Sequence, residues 1–223
     1  MESTHRQWHD VRVQPDMSTF VRETLIQTPK VALERFPDGR VGKVVGRVAA
    51  DALTIAAPLS GTPCVYARLQ VQLLDEVTQG WFPVCERIDS SGFTIADSSG
   101  DARVDAARAH VSLITDIDTL TRPRAARPEI IEPLLRQHTR NFRYWVSATP
   151  LCYSDGRLLY QVRCLEGSIK TGERLAIHGY GMREVRKDPD AVTGYRSQLP
   201  TQLVFRAQRS APLLLSDRPQ TFR

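Results

Sequence analysis

The sequence predicts a mainly β protein, an antiparallel open barrel or two packed β units with one inserted α-helix, and three observations carry that prediction. Short apolar runs rich in β-branched residues return at intervals of roughly ten residues from Val31 onward, each bounded by Gly, Pro, Asp or Ser. The run CVYARLQVQLL alternates, with Val65, Ala67, Leu69, Val71 and Leu73 on one side and Tyr66, Arg68, Gln70 and Gln72 on the other, which is the period of a strand with one buried and one wet face. The segments F-P-D-G-R and D-S-S-G-D place Gly where a tight reversal needs positive φ and Asp where a side chain can bond the turn backbone.

Element by element, residues 1–27 form a polar leader in which STFVRETLIQT has weak helical periodicity, enough for one or two turns ended by Pro29. Residues 28–115 form an N-terminal β unit built from VALERF, VGKVVGRVA, ALTIAAP, CVYARLQVQLL, GWFPVCERI, GFTIAD and ARVDA. Gly42 and Gly46 relieve crowding in a bent strand. Residues 116–128, DIDTLTRPRAARP, lose apolar content and gain Pro and Arg, which marks a linker or long loop. In PEIIEPLLRQHTR the apolar positions 130, 131, 134 and 135 form one helical stripe, with Pro128 at the start and Pro133 inside the first turn or so. Strand texture resumes in FRYWVSATPLCYS, RLLYQVRCLEG, ERLAIHGYGMREV and TQLVFRAQRSAPLLLS, so 129–215 is a helix followed by a C-terminal β unit. The tail 216–223 is polar and expected to be exposed.

Composition excludes several classes. The chain has 223 residues and a mass of 25.1 kDa, enough to bury a core without staples, so a small disulfide scaffold is not expected. At 41% hydrophobic and 25% charged it is neither disordered nor fibrous. No run of about 18 apolar residues occurs, and MESTHRQWHD lacks the features of an export signal, so a cytoplasmic protein with no membrane span is expected. The net charge of +5 is uneven: residues 1–120 hold 12 Lys/Arg against 16 Asp/Glu, and residues 121–223 hold 18 against 9. Any anionic partner would therefore meet the C-terminal part. The 26 Arg against 4 Lys reflect codon composition more simply than phosphate recognition.

The residue patterns of chemistry are missing. Cys64, Cys85, Cys152 and Cys164 show no C-x-x-C pairing and sit in apolar contexts, as buried thiols do. The histidines at 5, 9, 110, 138 and 178 make no H-x-x-x-H pair on a predicted helix, so no metal is expected. There is no G-x-S-x-G elbow, and Ser60 before Gly61 reads as a turn joining two strands. V-G-K-V-V-G has neither the Walker lysine nor a strand-to-helix setting. Asp97 and Asp101 flank a turn and Glu132 lies on the amphipathic segment, positions suited to capping or solvation. No catalytic residue and no cofactor are assigned. Small five-stranded barrels do bind single-stranded nucleic acid through basic, aromatic grooves, and FRYW at 142–145 has that composition. An alternative nucleic-acid surface is therefore Arg143, Trp145, Arg183 and Arg186.

One further pattern spans much of the chain. Thr28-Pro29, the Gly42 to Gly46 strand, and Pro58-Leu59-Ser60-Gly61 followed by Pro63-Cys64-Val65-Tyr66 resemble the opening of the GIDE domain, also called the BAM (beside-a-membrane) domain. Downstream, Asp97, Gly100 and Val104 match a D-x-[ST]-G, x-V-x-P segment, with Ala106 where Pro is common. Glu166, Gly172-Glu173 and Leu175 to Gly179 resemble the end of that domain, Ile169 and Glu173 being conservative departures. The likeness covers roughly residues 27–187 by these motifs. It implies a β-rich binding or substrate-presenting element of E3 ubiquitin ligase-like proteins, found also in bacteria. Ligase members of that family carry two membrane helices and a RING, and these 223 residues contain neither an apolar 18-mer nor a Cys/His framework after residue 187. The resemblance thus implies a non-catalytic module that binds a protein partner in a bacterial cytoplasm, without ligase activity of its own. Its expected binding surface is Pro58, Ser60, Gly61 and Tyr66, together with Gly179 and Gly181 in a Gly-rich loop.

Overall fold

The computed structural model of the protein describes residues 5–9, 17–74, 79–121, 161–185 and 201–223. The fold is mainly β, and its described α-helix is α1 (Met17–Gln27). The helix expected near 129–139 lies outside the described residues.

Two compact units share the chain discontinuously. The first comprises Met1–Pro15, Ile55–Ser90 and Ile114–Ser168, and the second Asp16–Thr54, Ser91–Leu113 and Ile169–Arg223. A single break at 116–128 is not where the molecule divides. Each unit is assembled from three distant stretches, because strand pairing joins residues that sequence order separates. In chain order the strands are β1 (His5–His9), β2 (Arg40–Val48), β3 (Ile55–Ala56), β4 (Pro63–Cys64), β5 (Tyr66–Leu74), β6 (Trp81–Ser90) and β7 (Phe93–Ala96). They continue as β8 (Asp101–Asp105), β9 (His110–Ser112), β10 (Ile117–Thr121), β11 (Val162–Ile169), β12 (Arg174–Val185), β13 (Thr201–Arg206) and β14 (Leu214–Ser216).

The second unit is a barrel. Its strands run β13, β8, β7, β2, β12, and β12 returns to pair with β13, so the sheet closes on itself. Taken in chain order, the strands go round as first, second, third, fifth and fourth, the small Greek-key plan of OB-type barrels. The barrel is mixed rather than wholly antiparallel, since β8 and β13 run parallel. Closure depends on the length of β12: residues 174–181 pair with β2 and residues 180–185 with β13, while 176–178 also hold β14. The interior is filled by Val44, Val48, Phe93, Ile95, Val104, Leu175, Ile177, Leu203 and Phe205, all buried.

One end is plugged by Phe36, which follows a single 3-10 turn over Leu33–Arg35. Its ring meets Phe205 edge-on at 4.9 Å between centroids. A Cβ on Gly181 would stand 2.5 Å from the Phe36 ring and one on Gly42 3.0 Å from it. These two glycines are the slot that the aromatic ring occupies. Gly46 likewise lets β2 approach β7, where a Cβ would come within 2.8 Å of the Ala96 carbonyl.

Residues 17–27 of the leader and the tail, the latter expected to be exposed, are built into this unit. Val21 and Leu25 of α1 pack against Ala176 and Leu214, with Val45 and Phe222 at the rim. Residues 219–222 form a second 3-10 turn whose Thr221 is buried. Residues 5–9, also in the leader, pair with β6 in the first unit.

The first unit carries a five-stranded sheet in the order β1, β6, β5, β11, β10. The alternation read from β5 is present: Ala67, Leu69, Val71 and Leu73 are buried, and Arg68, Gln70 and Gln72 are partly exposed. Tyr66 departs from it, being fully buried on the side expected to be wet. A register shift between Val71 and Gln72 marks a bulge opposite β6.

Candidate functional site

The most sharply defined exposed feature of the first unit is the hairpin β3–β4 and its turn. The pairs Ile55 with Cys64 and Ala56 with Pro63 set the register, and Ala57 closes the turn by donating its N–H to Thr62 O at 2.9 Å. Gly61 N–H donates back to Ala57 O, also at 2.9 Å, with φ of 71°. Only a residue without Cβ enters that left-handed region cheaply. Thr62 N–H donates to Ser60 Oγ at 3.2 Å, a local brace for the tip. Underneath, Ala57, Cys64 and Ala67 form a small apolar cluster with Ile55 beside it.

The decisive support comes from far along the chain. Glu166 on β11 is fully buried, and its carboxylate accepts the N–H of Leu59 at 2.5 Å and that of Ser60 at 3.1 Å. Two successive main-chain donors of the turn are satisfied by one carboxylate. β11 is itself fixed here: Asp116 N–H donates to Glu166 O at 2.8 Å, and Asp116 Oδ2 accepts from Ser168 N–H at 2.8 Å and from its hydroxyl at 2.6 Å. The result is a turn whose backbone is set from below while Ser60, Gly61 and Pro63 remain exposed.

Of the six residues expected to form the binding surface, Pro58, Ser60 and Gly61 stand together on this turn. Tyr66 belongs to the same unit but lies in its core. Its hydroxyl is buried with no hydrogen-bond partner among the described residues, and burial pushes its pKa up. Gly179 and Gly181 belong to the other unit and lie inside strand β12, not in a loop. The space each leaves is already taken: a Cβ at 179 would be 2.7 Å from Leu213 Cδ1, and the space at 181 belongs to Phe36 and Phe205.

Of the alternative nucleic-acid residues, Arg143, Trp145 and Arg186 lie outside the described residues. Arg183 is committed locally, its main-chain N–H donating to Asp38 Oδ1 at 2.7 Å and its guanidinium to Glu34 O at 3.1 Å. It ties β12 to the segment that carries Phe36.

Cys64, Cys85 and Cys164 are buried thiols, and Cys152 lies outside the described residues. Burial, with Cys164 and Glu86 adding to it, pushes Cys85 up to about 12; burial pushes Cys164 up to about 11 against a hydrogen bond from Thr119. Such thiols are poor nucleophiles at neutral pH. Among the described residues no three His, Cys, Asp or Glu side chains converge as a metal site, and no helix is long and apolar enough to cross a membrane.

Two important residues carry no local signal of their role. Glu166 looks like any strand glutamate, although residues 52–67 form an uncharged stretch whose backbone needs a distant acceptor. Lys43, fully buried in β2, reads as a surface lysine. Comparison of the chain with known proteins finds no matching family model, no matching curated protein and no matching solved structure.

Proposed function

We propose that the chain is a non-catalytic protein-interaction module, of the kind that its resemblance to the GIDE/BAM domain implies, acting without ligase activity of its own. The observation that carries this reading is the 58–63 turn, exposed at its tip and held in one backbone conformation by the buried Glu166 carboxylate. A turn ordered in advance loses little conformational freedom on docking, which is what makes such a loop an effective contact. Its lack of charge suits a protein partner rather than a phosphate backbone. A bacterial, cytoplasmic setting belongs to the same reading.

The alternative, nucleic-acid binding, finds less support in the barrel. On β8, one of the strands through which OB-type barrels bind, the exposed side chains are Asp101, Arg103 and Asp105, two acids to one base.

A photo-crosslinking residue at Ser60, with one at Ala96 as control, tests the proposal in cells of the source organism. One protein crosslinked through position 60 and not 96, which binds the purified chain and loses at least tenfold in affinity on Ser60→Trp, supports it. Equal crosslinking at both positions, or affinity unchanged by Ser60→Trp, overturns it. Oligonucleotide binding that survives physiological salt, with log K falling steeply against log salt, would favour the alternative.

A further inference from the structure

Lysine is almost never fully buried unless its ammonium is hydrogen-bonded, so each acceptor that Lys43 has found carries information. It stands on the outer face of the barrel in β2, directly opposite His178 on β12. Its Nζ donates to two main-chain oxygens from opposite ends of the chain: Leu25 O at 2.5 Å and Arg223 O at 2.7 Å.

The first acceptor has a specific reason to need it. In a helix the carbonyl of residue 25 accepts from the N–H of residue 29, and residue 29 is proline, which has none. Thr28 N–H and its hydroxyl both go to Thr24 O, at 3.0 and 2.8 Å, and do not serve Leu25. The last turn of α1 therefore leaves a carbonyl that a buried ammonium takes, at the helix end where the macrodipole favours positive charge. The second acceptor lies just past the 219–222 turn, whose Phe222 sits at the rim of the cluster formed by Val21, Leu25, Ala176 and Leu214.

The apolar anchor of the helix is small. Only Val21 and Leu25 of its eleven residues are buried, and a helix of this length is not stable alone. At its N-terminal end Ser18 and Ser112 share a hydrogen bond of 2.8 Å.

We infer that α1 and the 219–222 turn form one strap across β2, β9, β12 and β14, locked by the Lys43 ammonium and released as a unit when that lock is lost. Release uncovers Ala176, Leu214 and Val45 while the barrel stays closed, because the barrel's own contacts lie on the interior side of β2 and β12. This device is independent of the 58–63 turn and of the proposed interaction role.

Hydrogen exchange read by mass spectrometry on the full chain tests it, with Lys43→Met and Pro29→Ala. Loss of charged hydrogen bonds to both segments predicts that Lys43→Met speeds exchange by about tenfold or more in residues 17–27 and 219–223 together, while peptides from β7, β8 and β13 keep their protection. Pro29→Ala returns a donor for Leu25 O. The double variant should regain protection in 17–27 and, because the two segments release together, in 219–223 as well. The lock is refuted if Lys43→Met leaves both segments protected, if only one segment opens, or if the barrel strands exchange as fast as the strap. Failure of the double variant to restore α1 would refute the role assigned to Leu25 O.

Discussion

Two turns in this protein solve one problem in opposite ways. At residues 97–100 the stabilising carboxylate is part of the turn: Asp97 Oδ1 accepts from Ser99 N–H at 2.7 Å, Ser99 Oγ–H at 2.6 Å and Gly100 N–H at 3.1 Å, and Oδ2 accepts from Leu33 N–H at 3.0 Å. At residues 58–61 the carboxylate is Glu166, more than a hundred positions away in sequence, |i−j| being 107 for Leu59 and 106 for Ser60. The first turn forms its bonds locally and then recruits the barrel plug. The second has no acceptor until β11 is in place beside β5. A turn held locally survives losses elsewhere in the fold, and a turn held from a distance reports on the sheet beneath it.

The comparison breaks most easily at Glu166. Its replacement by alanine leaves two partly buried N–H groups without their acceptor, at roughly 1–2 kcal/mol each because water reaches the turn, so unit 1 should lose about 2–4 kcal/mol in chemical denaturation. Glu166→Gln keeps one carbonyl acceptor and should lose about half as much. A loss below about 0.5 kcal/mol for the alanine variant would mean that the turn does not depend on β11.

Gly61 comes next. Its φ of 71° lies where a Cβ costs about 1–2 kcal/mol, and no neighbouring atom lies within 4 Å of the added group. Gly61→Ala should therefore destabilise by that amount through backbone strain alone, with no repacking of the side chains around it. Denaturation with retained near-ultraviolet dichroism is the expected pattern, and lost dichroism would point to packing instead.

What could be read from sequence divides along the same line. The D-x-S-G pattern announced the Asp97 turn because every partner but one lies within three residues. The strand alternation of β5 was legible because burial follows the pleat. The closed barrel was not: it requires β12 to pair with β2, β13 and β14, and its parallel β8–β13 contact joins strands about a hundred residues apart. The roles of Gly42 and Gly181 depend on Phe36, and the bond from Lys43 to Leu25 O goes to a carbonyl that Pro29 cannot serve. Glu166 could be noticed only within a motif, with no sign of what it holds.

Asp97→Ala should cost less than Glu166→Ala, about 1 kcal/mol, in the range of a lost cap, because the turn is partly exposed and water replaces some donors. The same residue gives the pair different behaviour in acid. Partial burial raises the Asp97 carboxyl, but hydrogen bonds from Ser99, Leu33 and Gly100 outweigh it and leave the group below its ordinary value of 3.8. A carboxyl lowered by folding contributes stability above its unfolded value and loses it as pH falls through the folded one. Melting temperature followed from pH 5 to pH 2 should therefore fall less in Asp97→Asn than in the native chain. Identical slopes would remove Asp97 from the acid transition.

The smallest effect is expected at Gly100, and it discriminates because sequence reading places it where a reversal needs positive φ. The structure gives it none: among the described residues the glycines with positive φ are Gly39, Gly61, Gly92 and Gly172. A Cβ at Gly100 meets open space. Gly100→Ala should thus stay within about 0.5 kcal/mol of the native chain, and the unfolded chain's lost freedom can make it slightly stabilising. Set beside Gly61→Ala, it separates two glycines that look alike in sequence. If both cost the same, the Asp97 turn is strained in a way its hydrogen bonds do not reveal, and the contrast between a locally held and a remotely held turn fails at its simplest point.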